Sequence, residues 1–265
     1  MSEQAAPSPV RVESVPAELG SPTDAAPLSN RNTWHVAGTR GDAVLKLAAP
    51  DGTAPPNPRY WAREVKVYDS GLAHTVYAAQ GLTAPDVLST DARGDGSVAL
   101  WLDFVRGRAG RTWDLSHWTD LATRLGAAQA DTPSYGPGWL FRTPSPVGPL
   151  AERAAQLRRV LCHLDLRPDH LIARDDDVVL LDWSHAGYGF AGEDLSGVIL
   201  AHAAQPELLS ALDTALPEAY ARAAGVSVAD VRIAIAATAP AKYGYHADDA
   251  TRRVLRMWIE DAPAY

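Results

Sequence analysis

The stretch from Cys162 to His170 places chemically competent side chains between apolar runs. It contains His163, Asp165 and His170, and Asp182 follows after two short apolar segments. Phosphoryl transfer from a nucleotide needs one carboxylate at the acceptor hydroxyl and a second on the divalent metal that bridges the phosphates. Asp165 and Asp182 supply both carboxylates, so we predict an active site for phosphoryl transfer.

A β-hairpin is expected to bring these side chains together. Residues 171–174 and 178–181 are apolar enough for two short strands, and an acidic turn joins them. Antiparallel pairing of the two strands would return Asp182 to the neighbourhood of His170. The sequence therefore predicts one site from two separate segments.

At these residues the chain resembles the kinase-like aminoglycoside phosphotransferase superfamily, whose catalytic loop reads HxDxxxxN. His163-x-Asp165-x-x-x-x-His170 matches this loop except at its last position, where macrolide phosphotransferases of the superfamily also carry a histidine. The resemblance implies that Asp165 is the catalytic residue and that His170 and Asp182 bind metal. It also implies that His163 and Asp194 brace the loop.

A lysine within an apolar strand is a second signal. Lys46 lies in a strand predicted over 42–47, where a charge is disfavoured unless its end reaches a partner. A helix predicted over 57–68 carries Glu64 beside its apolar face. In the protein-kinase arrangement the strand lysine contacts the phosphates and pairs with a helix glutamate. We therefore expect Lys46 to pair with Glu64.

The resemblance also implies nucleotide contacts from two further segments. The strand predicted over 97–107 is similar to the superfamily's hinge, whose backbone binds adenine. The polar turn at 29–32 is expected to lie over the phosphates, and a plain surface turn is the alternative interpretation. The residues implied in these contacts are Ser29, Asn30, Asn32, Asp103, Phe104 and Val105.

The expected fold is α+β and bilobal, of the protein-kinase-like type, with a small antiparallel β-sheet lobe followed by a mainly helical lobe. The predicted divisions are a nucleotide-binding lobe over 1–102 with 1–28 partly loose, a hinge over 103–107, and a helical lobe with the catalytic loop and acceptor site over 108–265. Helices in the second lobe are predicted over 112–130, 150–161, 194–203, 207–224, 227–237 and 246–259.

Composition limits the class of partner. The chain has 265 residues and a net charge of -8 without a Lys/Arg block, which argues against nucleic acid and favours a cationic small molecule. A single cysteine allows no disulfide within the chain, which suits a reducing cytoplasm. We see no signal peptide and no apolar run of membrane-spanning length. A cytoplasmic protein without a membrane partner is expected.

These observations predict transfer of the γ-phosphate of ATP or GTP to a hydroxyl of a small-molecule acceptor, with Mg²⁺ or Mn²⁺. An aminoglycoside, a macrolide or a related metabolite is the expected acceptor, which would connect the protein to antibiotic resistance. Candidate acceptor contacts, each with an ordinary core or surface role as the alternative, are Trp113, Trp118, Tyr135, Trp139, Asp248, Asp249, Glu260 and Asp261.

Two other functions stay open at this point. A metal-dependent hydrolase could use His163, Asp165, Asp169, His170 and His185, although HxDxxxDH differs from the usual HxHxDH spacing. A pseudokinase would bind nucleotide without transferring phosphate. His170 motivates this alternative, and so does Leu164, which stands where the superfamily usually has a glycine.

Overall fold

The computed structural model describes residues 15–28, 32–133, 136–146 and 148–262. Within these residues the strands are, in chain order, β1 (Pro22–Pro27), β2 (Thr33–Gly38), β3 (Asp42–Ala48), β4 (Leu82–Thr83), β5 (Val87–Ala92), β6 (Val98–Asp103), β7 (Arg108–Ala109), β8 (Phe141–Arg142), β9 (Arg159–Cys162), β10 (Leu171–Arg174), β11 (Asp177–Leu180) and β12 (Gly187–Phe190).

The α-helices follow the same order. They are α1 (Arg63–Asp69), α2 (Leu72–Thr75), α3 (Leu115–Ala130), α4 (Ala151–Ala154), α5 (Leu195–Leu200), α6 (Pro206–Ala224), α7 (Val228–Tyr243) and α8 (Asp249–Glu260). The chain divides into two compact units, one of Met1–Asp51 and Pro85–Val105, the other of Gly52–Ala84 and Arg106–Tyr265. The predicted α+β class, with an N-terminal antiparallel sheet and C-terminal helices, is confirmed.

The first unit is a five-stranded antiparallel sheet in the order β1-β2-β3-β6-β5. Its core cluster consists of side chains on one face of the sheet. These include Leu45 and Trp101, which are almost completely buried. Successive strand residues point to opposite faces. Lys46 therefore lies on the face of β3 opposite to Leu45, where it is half-buried and paired in register with Leu100 of β6.

The second unit joins two small sheets to a helical body. One sheet has the order β4-β11-β10-β7 and the other the order β8-β12-β9. Among the helices, α3 packs along α6, and α5 is buried over its whole length. Side-chain caps set three helix starts: Asp114 accepts N–H groups of α3, Ser227 of α7 and Asp248 of α8. These elements support the loops described below.

The structure adds one strand to the predicted elements and corrects one predicted helix. Pro22–Pro27, within the segment 1–28 that was expected to be partly loose, forms β1 by backbone pairing with β2, and its side chains are all exposed, so no burial pattern marks it. Only Ala151–Ala154 of the helix predicted over 150–161 is helical. Arg159–Cys162 is instead strand β9, because it pairs with the Gly-containing strand β12.

The helix that carries Glu64 is also shorter than predicted and belongs to the second unit. It begins at Arg63, and the carbonyls of Pro55 and Pro58 in the preceding turn accept N–H groups of the Arg63 guanidinium. Sequence analysis placed residues 1–102 in one lobe, whereas Gly52–Ala84 groups with the later residues. Pairing of β4 with β11 is one cause of this grouping.

In the described part of the chain no single helix is long and apolar enough to cross a membrane. The pair Pro206–Ala224 and Val228–Tyr243, bent by 119°, meets the length and composition requirements jointly.

Candidate active site

Two loops of the second unit lie side by side because strand pairs hold both of their ends. The first loop, residues 163–170, connects β9 to β10, and the second loop, residues 181–186, connects β11 to β12. Leu171 pairs with Leu180 at one end, and Cys162 pairs with Gly187 at the other. This double pairing brings the two predicted carboxylate-bearing segments together.

Asp194 holds the backbone of the first loop. Its carboxylate accepts the N–H of His163 at 3.0 Å and the N–H of Leu164 at 2.7 Å, and Gln129 Nε2 donates to it at 3.0 Å. Burial raises the pKa of Asp194, while the nearby Lys242 and these N–H donors lower it. Asp194 is 1% exposed, so its bonds are made away from water and keep the loop backbone in place.

His163 has both ring nitrogens committed to the backbone. Nε2–H donates to Leu181 O at 2.9 Å, and Nδ1 accepts the N–H of Asp165 at 3.3 Å. This pattern requires the neutral ring, in agreement with a pKa that burial lowers to about 3. The histidine thus links the two loops and has no nitrogen left for a metal.

Leu164 adopts a left-handed backbone with φ of 62°, a conformation that a glycine would take without strain. Its side chain is 2% exposed. A Cβ placed on Gly189 would lie 2.9 Å from Leu164 Cδ2. The leucine is therefore packed against the glycine of β12, inside the unit.

Asp165, His170 and Asp182 converge at the open side of the two loops. His170 Nδ1–H donates to the backbone carbonyl of Asp165 at 2.7 Å, and its Nε2 lies 3.8 Å from Asp182 Oδ2. The side chains of Asp165, His170 and Asp182 are 16%, 12% and 27% exposed. The structure thus brings together three of the residues that the sequence predicted as catalytic or metal-binding.

Arg167 occupies the space between two of these groups. Its Nη2 is 3.2 Å from Asp165 Oδ2 and 3.3 Å from His170 Nε2. The arginine is 46% exposed, so solvent weakens the ion pair. Sequence analysis assigned it no role, although its position two residues after Asp165 was a usable signal.

His170 and Asp182 fit a divalent cation as a pair. The Nδ1–H bond to a carbonyl leaves the Nε2 lone pair toward Asp182, the arrangement typical of a metal-binding histidine. No group of three His, Cys, Asp or Glu side chains able to hold a metal occurs among the described residues. Magnesium is commonly held by one or two protein ligands plus substrate phosphates, so this pair suits a metal shared with a nucleotide.

Glu64 contacts the second loop directly. Its Oε1 accepts the N–H of Trp183 at 3.2 Å, which places α1 against the residue that follows Asp182. Lys46 lies on β3 in the first unit, and its pairing with Glu64 stays a prediction. Asp182 itself has a left-handed backbone, with φ of 61°.

The implied hinge and turn residues lie in or next to the first unit's sheet. Asp103 ends β6 and donates its N–H to Asp86 O at 2.8 Å, and the Phe104 ring lies 4.5 Å from that of His35. Val105 is buried. Asn32 is exposed, and its carbonyl accepts the N–H of Leu47 at 2.8 Å. Ser29 and Asn30 lie outside the described residues.

Several candidate acceptor contacts have structural roles. Trp113 and Trp118 are buried with ring centroids 4.8 Å apart. Asp248 caps α8, and Asp249 pairs with Arg252 on the same helix. Tyr135 lies outside the described residues.

Two further residues near the site had no role in the predicted phosphotransferase site; His185 was considered only for the hydrolase alternative, and Arg63 was missed. His185 is hydrogen-bonded to Ser184 Oγ through Nδ1 at 3.1 Å, and its pKa is lowered mainly by burial, against the influence of Asp165 and Asp182. Arg63 is fully buried and donates to the carbonyl of Ser184. An arginine beside the apolar face of a predicted helix was the available signal for Arg63.

Solved structures with a similar fold include several kinases. The aminoglycoside phosphotransferase APH(4)-Ia, solved as a thermostable mutant in ternary complex with AMP-PNP and hygromycin B, aligns with a TM-score of 0.56 at 14% identity and covers 94% of this chain and 97% of its own. The chain has a kinase-like fold.

Other kinase-like structures align equally well. Amicoumacin kinase hAmiN, in complex with AMP-PNP, Ca²⁺ and Ami, has a TM-score of 0.55 at 11% identity, covering 93% of this chain and 90% of that one. Choline kinase LicA from Streptococcus pneumoniae has a TM-score of 0.55 at 14% identity, covering 92% and 95%.

Sequence comparison gives a partial match. Residues 139–226 match the family APH, described as "Phosphotransferase enzyme family". No curated protein matches the chain. The matched segment contains both loops of the candidate site and Asp194.

Proposed function

We propose that the protein is a small-molecule O-phosphotransferase that transfers the γ-phosphate of ATP or GTP to a hydroxyl. The observation that carries this proposal is the convergence of Asp165, His170 and Asp182 at the open side of two loops held by paired strands. The family match over residues 139–226 and the kinase-like fold support it.

Asp165 is proposed to orient the acceptor hydroxyl and to accept its proton late in the transfer. Its carboxylate is partly open to solvent, while its backbone carbonyl is fixed by His170. Lys46 on β3 would steady the phosphates, and the backbone of Asp103, Phe104 and Val105 would bind the base. Positioning and charge neutralisation then supply most of the rate enhancement.

His170 and Asp182 are proposed to hold the divalent metal together with the donor's phosphates. When bound, the metal neutralises charge on the phosphate oxygens. Imidazole nitrogen suits softer ions than Mg²⁺ prefers. The ligand pair therefore favours use of Mn²⁺ as well as Mg²⁺.

The acceptor is proposed to be a cationic alcohol. The net charge of -8 attracts such molecules. Choline, the substrate named for one structural relative, and hygromycin B, bound in another, both combine hydroxyl groups with cationic nitrogen. An aminoglycoside or a macrolide amino sugar has the same chemistry.

The pseudokinase alternative depended partly on Leu164. Because that side chain is buried against Gly189, it does not project toward the side where an acceptor would approach Asp165. The hydrolase alternative counted His163 among its possible metal ligands, and both nitrogens of His163 are bonded to the backbone. Both observations support transfer activity.

The test measures consumption of ATP and GTP, each with Mg²⁺ or Mn²⁺, across aminoglycosides, macrolides, choline and simple amino alcohols. Asp165→Asn should lower acceptor-dependent turnover by about 10²- to 10⁴-fold, the usual contribution of a general base. Asp169→Asn is the matched control, because Asp169 lies in the same loop but binds Arg111. Absence of any nucleotide binding would refute the proposal, and binding without turnover would favour a pseudokinase.

A further inference from the structure

Arg63 is a buried arginine whose guanidinium is surrounded by backbone carbonyls. It is 0% exposed. Each of its five N–H bonds is used, since an arginine carries five such donors. The acceptors are Pro58 O at 2.7 Å, Pro55 O at 2.7 Å, Asn57 O at 2.7 Å, Ser184 O at 3.1 Å and Trp139 O at 3.3 Å.

The buried charge is retained at neutral pH. Burial lowers the pKa of Arg63 to about 10, which still leaves the guanidinium protonated in the cell. The rings of Tyr60 and Phe141 lie 5.8 and 5.7 Å from its central carbon, close enough for cation–π attraction. A buried cation with carbonyl partners is costly to assemble, so its placement needs an explanation.

The positions of the acceptors suggest that explanation. Three carbonyls belong to the turn before α1, which fixes the start of the helix. A fourth belongs to Ser184 in the second loop, two residues after Asp182. The next residue of α1, Glu64, accepts the N–H of Trp183. Two consecutive residues of one helix therefore hold two consecutive residues that follow Asp182.

Asp182 needs such support because its backbone is strained. Its φ of 61° and ψ of 71° lie in the left-handed region, which is unfavourable for a non-glycine residue. A strained residue keeps its conformation only when its surroundings impose it. The contacts from α1 are made immediately after the strained position.

We propose that Arg63 is a positioning residue for phosphoryl transfer: through the carbonyl of Ser184, and together with Glu64, it holds Asp182 in its metal-binding conformation. This inference rests on the proposed function, because metal binding is the task assigned to Asp182. Lysine cannot substitute fully for Arg63, since an ammonium group has three donors and lacks the planar fork that reaches separate carbonyls.

The test compares the full-length wild type with Arg63→Lys and Arg63→Met by hydrogen exchange. Amides of the second loop, 181–186, should exchange at least about tenfold faster in both variants, while those of the hairpin strands β10 and β11 keep their protection. An unchanged second loop, or uniformly faster exchange throughout the second unit, would overturn the proposal. This measurement needs no nucleotide and no activity.

A kinetic measurement then connects the contact to metal use. With an acceptor identified by the panel above, Arg63→Lys should raise the Mn²⁺ concentration for half-maximal turnover by about five- to tenfold, with kcat at saturating metal changed less than about twofold. Loss of kcat at an unchanged metal requirement would contradict positioning through Asp182. If no acceptor is turned over, the proposed function fails. The hydrogen-exchange result still tests whether Arg63 holds the second loop through the carbonyl of Ser184.

If neither variant folds, the wild type alone can test the coupling between α1 and the second loop. In a series of low denaturant concentrations, the amide of Trp183 should open with the same free energy as the amides of α1, because the contact makes them one cooperative unit. Independent opening of the second loop at much lower denaturant would refute the coupling.

Discussion

The imidazole of His170 donates its Nδ1–H to the backbone carbonyl of Asp165, with 2.7 Å between the two atoms. This bond fixes the tautomer, so Nε2 carries the lone pair; it lies 3.3 Å from Arg167 Nη2 and 3.8 Å from Asp182 Oδ2. One side chain thereby holds the backbone of Asp165, the proposed catalytic residue, and places a ring nitrogen beside Asp182, the proposed metal ligand.

Replacing His170 should change the metal preference of the enzyme. In His170→Asn an amide oxygen takes the place of the imidazole nitrogen, and oxygen ligands favour Mg²⁺. The ratio of turnover with Mn²⁺ to turnover with Mg²⁺ should fall about three- to tenfold. His117→Asn is the control, since His117 binds Asp114 at the start of α3. An unchanged ratio in His170→Asn would rule out ligation by His170.

Arg167 should compete with the metal in the nucleotide-free protein. Its Nη2 lies 3.3 Å from the same His170 Nε2 that is proposed to bind metal. Removing one hydrogen bond of about 0.5 to 1.5 kcal/mol should tighten Mn²⁺ binding about two- to tenfold in Arg167→Met, as measured by calorimetry. Arg253→Met, on the exposed side of α8, should leave the affinity unchanged. Weaker Mn²⁺ binding in Arg167→Met would mean that the arginine assists the metal site.

His163 should make the folded protein sensitive to acid. Its pKa is about 3 in the fold and near 6.5 when the chain is unfolded, so the unfolded state binds the proton first as the pH falls. The free energy of unfolding should therefore decrease from about pH 6.5 toward pH 3, by up to about 1.4 kcal/mol per pH unit, and be independent of this group above pH 7.

Urea denaturation at pH 7.5 and 5.5 tests this expectation. The wild type should lose about 1 kcal/mol more than His163→Gln between these two pH values. Other titrating groups, including His185 with its lowered pKa, are present in both proteins, so the difference isolates His163. Equal losses would show that His163 is not held neutral.

Asp194→Asn should loosen the first loop. An asparagine offers one oxygen where Asp194 uses two, and its amide group would face the N–H donors of the loop. Because charged hydrogen bonds contribute about 1.5 to 3 kcal/mol each, the unfolding free energy should fall by about 2 to 4 kcal/mol. Asp248→Asn is the control, since Asn caps a helix as well as Asp does. Equal effects in the two variants would contradict the special role of Asp194.

The sequence predicted the α+β fold and the β10–β11 hairpin because both depend on local patterns. Two short apolar runs and the acidic turn between them are visible within a dozen positions. The strands β1, β9 and β12 depend on partners elsewhere in the chain. The fully exposed β1 has no apolar pattern, and the two glycines of β12 are unfavourable in a strand although all four of its residues are buried.

The candidate site was predictable only where it matched a motif. Asp165, His170 and Asp182 stand at motif spacings, so their convergence could be expected. Arg63 could not be assigned a role, because its partners are backbone carbonyls, and any residue type at those positions would supply the same oxygen. Contacts to the backbone leave no trace in the sequence of the partner.

The five-carbonyl environment of Arg63 also sets an order for folding during synthesis. The carbonyls of Trp139 and Ser184 are 76 and 121 residues further along the chain. At about 5 to 20 residues per second, the ribosome needs about 6 to 24 s to reach Ser184 after making Arg63. Until then the guanidinium must stay hydrated. Docking of α1 onto the second loop therefore occurs late in synthesis. A chain that ends before Ser184 cannot form this contact.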